Sequence, residues 1–291
     1  MYKALQEICE TAQRENKEFY QVILEEDCHE RGVSPEDGFR QVTELYRAMR
    51  DADDNYNPTL VSNSRLVGKD GGKVQQYREG GESLCGDFVC LVMEKAVKMG
   101  ESNACMKRIV ASPTAGSCGV VPAVLIAMEE RFAYSEEEMT KAMLTAAGIG
   151  GVIASRAFIA GAAGGCQAEI GSAAAMAAGA AVYLRNGNLN QICHAAAMAL
   201  KNLLGLACDP VGGLVEVPCV KRNVIGAMSA LSSADLALAG IVSKIPPDEV
   251  IDAMRNIGMA MPACLKETGT GGLAVTPEGS KYNHGNGEPG E

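Results

Sequence analysis

The sequence predicts an all-α protein built as a single helical domain, and three observations support this. Apolar residues recur every three or four positions along most of the chain, as they do on one face of an α-helix. Helix-start signals precede several of these stretches. Alternating, β-branched runs bounded by turns are scarce. With 47% hydrophobic residues in 291, the chain can bury a substantial core.

The first 56 residues predict helices that form an N-terminal layer of the same domain. The opening 20 residues are polar and helical in pattern. Ser34 can cap the next helix, and Pro35 suits its first position because the proline ring presets the first dihedral. Apolar residues then follow at helical spacing, at Phe39, Val42, Leu45, Tyr46 and Met49.

Residues 57–268 are predicted to form the helical core, entered through a Gly-, Ser- and Asn-rich loop over 57–83. Ser135 and Glu138 form a capping box ahead of a helix that Gly148 could end. Pro247 is predicted to open another helix. Further helices are predicted at about 85–99, 119–133, 151–163, 169–184, 188–204 and 223–240.

Two segments have an unusual composition. Residues 269–291 are polar and Gly-rich, with almost nothing to bury, and predict a disordered, flexible C-terminal tail. Residues 161–181 are rich in alanine and glycine and predict buried helices in close contact. A glycine inside a helix costs about 1 kcal/mol relative to alanine. Either close helix packing or a nearby cofactor would explain that cost.

Charge and composition exclude several classes of function. A net charge of -10 with 4% aromatic residues argues against nucleic acid and against anionic membranes. Because Gln167 and Glu169 interrupt the most apolar stretch, we expect no membrane-spanning helix. The N-terminus lacks the apolar core of a secretion signal, so we expect a cytoplasmic protein. Its 11 cysteines then indicate reduced thiols or a metal site.

Three of these cysteines lie in segments rich in small residues. Cys166 lies in GGCQAEIG, Cys208 in LACDPVGG and Cys219 in VEVPCVKRN. Glycine and proline let the backbone approach an inorganic centre closely, and three thiolates suit iron and sulfur. Three ligands on a four-iron cluster would leave one iron open to substrate, where it would act as a Lewis acid. Lys221 and Arg222 would balance the negative charge of such a centre.

Three segments together resemble a known family. They are ASPTAGSCGVVPAVL (111–125), GGCQAEIGSAAAMAAGA (164–180) and CDPVGGLVEVPCVKRN (208–223). They are similar to the α chain of the iron-sulfur-dependent L-serine dehydratases, also called L-serine deaminases. The resemblance implies a 4Fe-4S cluster on Cys166, Cys208 and Cys219 in a helical catalytic domain. It also implies that L-serine is dehydrated to aminoacrylate, which becomes pyruvate and ammonia.

Other candidate residues come from a loop and from two further matches to the family. The loop ahead of the apolar helix near residue 120 could hold the substrate carboxylate, and its candidate residues are Ser112, Thr114, Gly116 and Ser117. Lys266 and Glu267 match a family segment close to the active site, where either could move a proton or orient substrate. Ser64 lies in a loop resembling a family substrate loop, from which this chain departs at positions 65, 67 and 69.

The resemblance also implies that a domain present in single-chain members is absent from this sequence. Single-chain members carry a second domain with a signature similar to S-S-S-H-T, which this sequence lacks. A separate β chain is therefore implied, with the active site where the two chains meet.

Several alternatives stay open on the sequence alone. Pyridoxal phosphate is disfavoured because no S-x-K-x-R-G motif and no run of three glycines occurs, and zinc because no C-x-x-C pair occurs. An electron-transfer or structural cluster protein would need a fourth ligand, such as Cys118 or Cys264. The same architecture could also act on threonine, on cysteine or on a hydroxy acid.

Overall fold

Twelve α-helices form most of the structure, a computed structural model that describes residues 2–282. Over those residues there is no β-strand, only two isolated bridge pairs, so the predicted all-α fold is confirmed. The helices are α1 Leu5–Glu15, α2 Phe19–Arg31, α3 Pro35–Asp54, α4 Asp70–Glu79, α5 Gly86–Ala104, α6 Val120–Phe132, α7 Glu136–Arg156, α8 Gly161–Gly164, α9 Ser172–Leu184, α10 Leu189–Lys201, α11 Cys219–Leu238 and α12 Pro247–Ala260. One turn of π-helix, Gln167–Gly171, leads into α9.

The helix starts predicted from Ser34, Ser135 and Pro247 are confirmed. The Ser34 hydroxyl accepts the Asp37 backbone N–H at 3.1 Å, so it caps α3. At α7 the Glu138 carboxylate accepts the Ser135 N–H at 2.7 Å, and the Ser135 hydroxyl accepts the Glu138 N–H at 3.3 Å. Pro247 is the first residue of α12.

Several predicted boundaries were wrong. Residues 151–163 do not form one helix, because 151–156 belong to the end of α7 and α8 begins only at Gly161, and α11 begins at Cys219 rather than near residue 223. Gly148 does not end its helix, since α7 continues to Arg156, and Gly148 instead admits the side chains of Phe19 and Ile23 from α2. Residues 57–83 are not wholly a loop, because α4 forms within them. The buried Glu101 carboxylate on α5 accepts the backbone N–H groups of Asp70 and Gly71 at 2.9 and 3.1 Å, which supplies the missing N-terminal cap.

Helix α9 lies at the centre of the core. It packs against α6, α7, α10 and α11, and its alanines are buried on all sides. Apolar residues of α1, α2 and α3 belong to the same continuous core, among them Ile8, Phe19 and Met49. Close helix packing therefore explains the small residues of α9, because only small side chains let four neighbours approach one helix.

The Gly119→Ala variant should be less stable than the wild type by about 1–3 kcal/mol, the usual cost of overpacking. Gly119 has a helical φ of -88°, which alanine tolerates. Its added Cβ, however, would lie 2.7 Å from the Ala96 carbonyl oxygen of α5 and 3.1 Å from Asn223 Cβ of α11. Chemical denaturation measures the change.

A matched control is Gly80→Ala, at the exposed C-cap of α4, where φ is -67° and the nearest atom would be 3.3 Å away. It should leave the free energy of unfolding within about 0.5 kcal/mol of the wild type. Equal destabilisation of both variants would contradict the role given to Gly119.

Order extends further toward the C-terminus than the sequence predicts. Residues 269–282 include two short 3-10 turns, Gly272–Val275 and Gly279–Tyr282, and Ala274 is fully buried. The Asp209 carboxylate holds this segment by accepting the Leu273 N–H at 2.8 Å. The remainder of the predicted tail, 283–291, lies outside the described residues.

None of the helices formed by residues 2–282 has both the length and the apolar character needed to cross a membrane.

Candidate functional site

The three candidate cysteines lie on three separate elements and are all buried. Cys166 directly precedes the π-helical turn, Cys208 lies in the loop between α10 and α11, and Cys219 is the first residue of α11. Their exposed fractions are 2%, 2% and 6%. The Sγ atoms of Cys166 and Cys208 and a carboxylate oxygen of Glu169 all lie within 4.8 Å of one another.

Glu169 is a site residue that the sequence analysis missed. It is buried on the π-helical turn, and its Oε1 accepts the Thr114 hydroxyl at 2.8 Å. Burial, followed by the charge of Glu267, raises the pKa of Glu169. A signal did exist in the sequence, because a carboxylate three residues after Cys166 interrupts an otherwise apolar run.

Arg222 places a positive charge beside the cysteines, as predicted. It lies one turn after Cys219 on α11, and its Nη1 donates to Cys166 Sγ at 3.5 Å and to the Ala207 carbonyl at 2.8 Å. Its Nη2 pairs with Asp209 at 2.8 Å. The hydrogen bond from Cys208 and then the Arg222 charge lower the pKa of Cys166, which favours its thiolate.

The prediction that Lys221 helps to balance the negative charge at the cysteines was wrong. Its ammonium group pairs with Asp70 at 2.7 Å on the surface, because consecutive residues of a helix point in different directions.

The other two thiols lie in a more negative environment. Burial and the charges of Cys166 and Glu169 raise the pKa of Cys219 to about 12. The pKa of Cys208 is also raised, first because it donates its proton to Cys166 and then by burial. Neither thiol would ionise readily unless a cation bound there, so the group is suited to a metal centre rather than to a free nucleophile.

The predicted substrate loop lies against Glu169. Thr114 donates to that carboxylate, and Gly116 lies so close that an added Cβ would be 3.0 Å from Glu169 Oε2. Ser117 is fully buried and its hydroxyl lies 3.1 Å from that of Thr114. Ser112 is buried as well, and its N–H donates to the Thr114 carbonyl at 3.3 Å. Ser112 and Ser117 therefore shape the loop from within.

Asn223 fixes this loop to α11 and was also missed. Its side-chain amide donates to the carbonyls of Gly116 and Cys219, each at 2.9 Å, and its Oδ1 accepts the Gly119 N–H at 2.8 Å. One helix thus carries a candidate ligand at Cys219, a cation at Arg222 and the loop anchor at Asn223.

Lys266 and Glu267 are held beside Cys208 through the backbone. Cys208 donates its N–H to the Leu265 carbonyl at 2.8 Å, and its carbonyl accepts the Glu267 N–H at 2.7 Å. An added Cβ on Gly161 would lie 3.1 Å from Glu267 Oε2, so this carboxylate reaches the site. Lys266 also lies beside Cys208, because the two residues form an isolated parallel β-bridge.

Ser64 reaches the site only indirectly. Its hydroxyl donates to the carboxylate of Glu216, which also accepts the Ser62 hydroxyl at 2.7 Å. Glu216 is buried three residues before Cys219. The structure therefore connects the Ser64 loop to the segment that leads to Cys219.

Comparison with known proteins agrees with this geometry. The family model for the serine dehydratase alpha chain matches residues 14–274. A Bacillus subtilis protein named probable L-serine dehydratase, alpha chain, is 46% identical over 96% of this chain and 93% of its own. The L-serine dehydratase, alpha chain, of Peptoniphilus asaccharolyticus is 40% identical over 97% of both chains.

The chain belongs to the serine dehydratase alpha chain family. A Helicobacter pylori protein named L-serine dehydratase is 36% identical over 81% of this chain but only 54% of its own length. That relative therefore contains a large part with no counterpart in the match.

The residues present suit a metal centre with soft ligands, but Cys219 Sγ does not lie within 4.8 Å of both Cys166 Sγ and Cys208 Sγ. Three buried sulfurs are soft ligands, and the guanidinium of Arg222 can offset their charge. Gly161 lies directly against this group of side chains. A Cβ there would lie 2.9 Å from Cys208 Sγ and 3.0 Å from Glu169 Oε2.

Gly161→Ala should therefore reduce the iron bound per chain and lower kcat/KM at least about tenfold, because the methyl group would enter the site. The melting temperature should change little, since alanine is a better helix former than glycine. Iron analysis, steady-state kinetics and thermal unfolding measure the three quantities. Wild-type iron content together with wild-type kcat/KM would show that the space beside Gly161 is not needed.

Proposed function

We propose that this chain is the catalytic α chain of an L-serine dehydratase and holds a 4Fe-4S cluster through Cys166, Cys208 and Cys219. The observation that carries the proposal is the convergence of Cys166 and Cys208 with the Glu169 carboxylate within 4.8 Å. The similarity to proteins named L-serine dehydratase, alpha chain, supports the substrate. The reaction would yield pyruvate and ammonia, with aminoacrylate as the first product.

The reaction must expel hydroxide, which is a poor leaving group, from a carbon next to one bearing a weakly acidic proton. When bound, the cluster would supply a Lewis-acidic iron to polarise the substrate hydroxyl. Three cysteine ligands leave one of four irons without a thiolate from this chain. The role of Arg222 is to keep Cys166 ionised and to neutralise part of the negative charge.

Glu169 is the proposed acceptor of the α-proton. The Thr114 hydroxyl donates to Oε1, and Oε2 lies beside Gly116 and Gly161, where a Cβ added to either glycine would be 3.0 Å from it. A carboxylate held at one oxygen presents the other in a fixed direction, as a general base requires. Glu267 Oε2 also lies beside Gly161, so Glu267 is the second candidate, with Lys266 next to it in the chain.

The loop of residues 112–117 is proposed to bind the substrate carboxylate. Because the Thr114 and Ser117 hydroxyls are engaged within the site, the N–H groups of the turn Ala115–Ser117 are the proposed donors. Ser64 would act at a distance, through Glu216.

A separate β chain is the proposed partner. Relatives that match this chain end to end are named alpha chains, whereas the Helicobacter pylori L-serine dehydratase extends well beyond the match. The β chain would supply the part that the longer relative carries in one polypeptide. We also propose a cytoplasmic location, consistent with free cysteines throughout the described residues.

Anaerobic purification with the β chain tests the proposal. We expect about four irons and four sulfides per α chain, no pyridoxal phosphate, and pyruvate release from L-serine. L-Threonine and L-cysteine assayed in parallel show whether the site prefers another small amino acid. Pyruvate release that persists in iron-free protein would exclude the mechanism, and cluster-loaded protein inactive on all three would favour an electron-transfer or structural role.

A further inference from the structure

Two cysteines outside the candidate site are in direct contact. Cys9 on α1 and Cys193 on α10 place their Sγ atoms 3.1 Å apart, and both are buried. None of the cysteines in residues 2–282 is in a disulfide. A disulfide has an S–S distance of about 2.05 Å, so joining this pair requires a movement of about 1 Å.

The pair is accessible to small molecules. Cys9 and Cys193 line a cavity of about 440 Å³ whose other walls include His194, Asp248 and Arg156. The cavity has space for a small solute beside these two residues. Buried thiols that lack such access are generally inert.

The two thiols differ in acidity. The hydrogen bond from Cys193 lowers the pKa of Cys9, whereas the pKa of Cys193 is raised because its proton is shared with Cys9. In thiol–disulfide exchange the thiolate is the attacking species. Cys9 is therefore suited to react first and Cys193 to resolve the intermediate.

We propose that Cys9 and Cys193 are a reversible redox modification site, which forms an intramolecular disulfide by exchange with a small disulfide. The Cys9 thiolate would attack the small disulfide, form a mixed disulfide and expel one thiolate. Cys193 would then give its proton to that thiolate, attack the Cys9 sulfur and expel the second thiolate, which takes up the proton that Cys9 released when it ionised. The protein loses two hydrogens, and the small disulfide is reduced to two thiols.

The bond would add a covalent link to the packing contacts that already hold the N-terminal layer against the core. The Asp248 carboxylate at the start of α12 already accepts the N–H of Leu5 on α1 at 2.8 Å. A covalent link between Cys9 and Cys193 would also close a long loop in the unfolded chain, which stabilises the folded state. We expect the melting temperature to rise by roughly 5 °C on oxidation and to return on reduction.

The test uses the full-length, reduced chain equilibrated anaerobically with mixtures of oxidised and reduced glutathione. Free thiols are then trapped with N-ethylmaleimide before digestion and mass spectrometry. We expect a peptide pair joining Cys9 to Cys193, lighter by about 2 Da than the two reduced peptides, reversed by dithiothreitol. Peptide mapping separates this pair from any bond among the candidate cluster cysteines.

Three variants complete the test. Cys9→Ser and Cys193→Ser should each abolish the oxidation-dependent rise in melting temperature, with far-UV circular dichroism confirming their folding. Cys28→Ser, at a buried thiol that contacts the Ser34 carbonyl, is the matched control and should keep the rise. The peptide map of the wild-type chain tests the proposal even if a variant fails to fold. Full alkylation of both cysteines at every glutathione ratio, or a mixed disulfide on Cys9 with Cys193 still reduced, would overturn the proposal.

Discussion

Cys208→Ala should lose the iron-sulfur cluster and at least about a thousandfold of the activity on L-serine, because one of three proposed ligands is removed. The fold should persist. Backbone hydrogen bonds join Cys208 to Leu265 and Glu267, and none of them uses the thiol. Iron and sulfide per chain, visible absorbance and pyruvate release measure the loss, and far-UV circular dichroism measures the fold.

Cys118 and Cys264 provide matched controls that also separate the rival functions. Cys118 is fully buried with its thiol 3.9 Å from the Met99 carbonyl, and Cys264 is exposed. Cys118→Ala and Cys264→Ala should both retain the cluster and the activity. If either variant lost the cluster, the centre would have four cysteine ligands, as expected of an electron-transfer or structural protein.

Local signals were sufficient to predict much of the fold. The starts of α3 and α7 depend on caps within four residues, and the sequence displays both. Helix α4 could not be predicted in this way, because its cap is Glu101, thirty residues later on α5. The prediction that Gly148 ends its helix failed for a similar reason. Its lack of a side chain makes room for residues of α2 and does not mark a turn.

The sequence was enough to propose the candidate ligands, but it did not indicate which other side chains contact the site. Cysteine in Gly-rich segments marks a possible metal ligand wherever it lies in the chain, so Cys166, Cys208 and Cys219 could be chosen from composition and resemblance. Asn223 carries no such signal, and Glu169 shows in the sequence only as a charge within an otherwise apolar run. Their importance comes from contacts with Thr114 and Gly116, which only the packing of α11 and the π-helical turn brings together.

Glu169→Gln should lower kcat on L-serine by about 10²–10⁴ while the cluster content stays at the wild-type level. Glutamine keeps the shape of glutamate and an oxygen that can still accept the Thr114 hydroxyl. It removes the negative charge and the capacity to take a proton. Cluster binding should not suffer, because the Glu169 charge raises the pKa of both Cys208 and Cys219 and so opposes their ionisation.

The decisive comparison is with Glu267→Gln, since the carboxylates of Glu169 and Glu267 both lie beside Gly161. If Glu169 takes the proton, its variant should lose most of kcat with a small change in KM, whereas Glu267→Gln should retain far more of kcat. The reverse order would transfer the role to Glu267. If both variants kept wild-type kcat with full iron content, neither carboxylate would be the base. The proton acceptor would then have to lie on the β chain or elsewhere in the α chain.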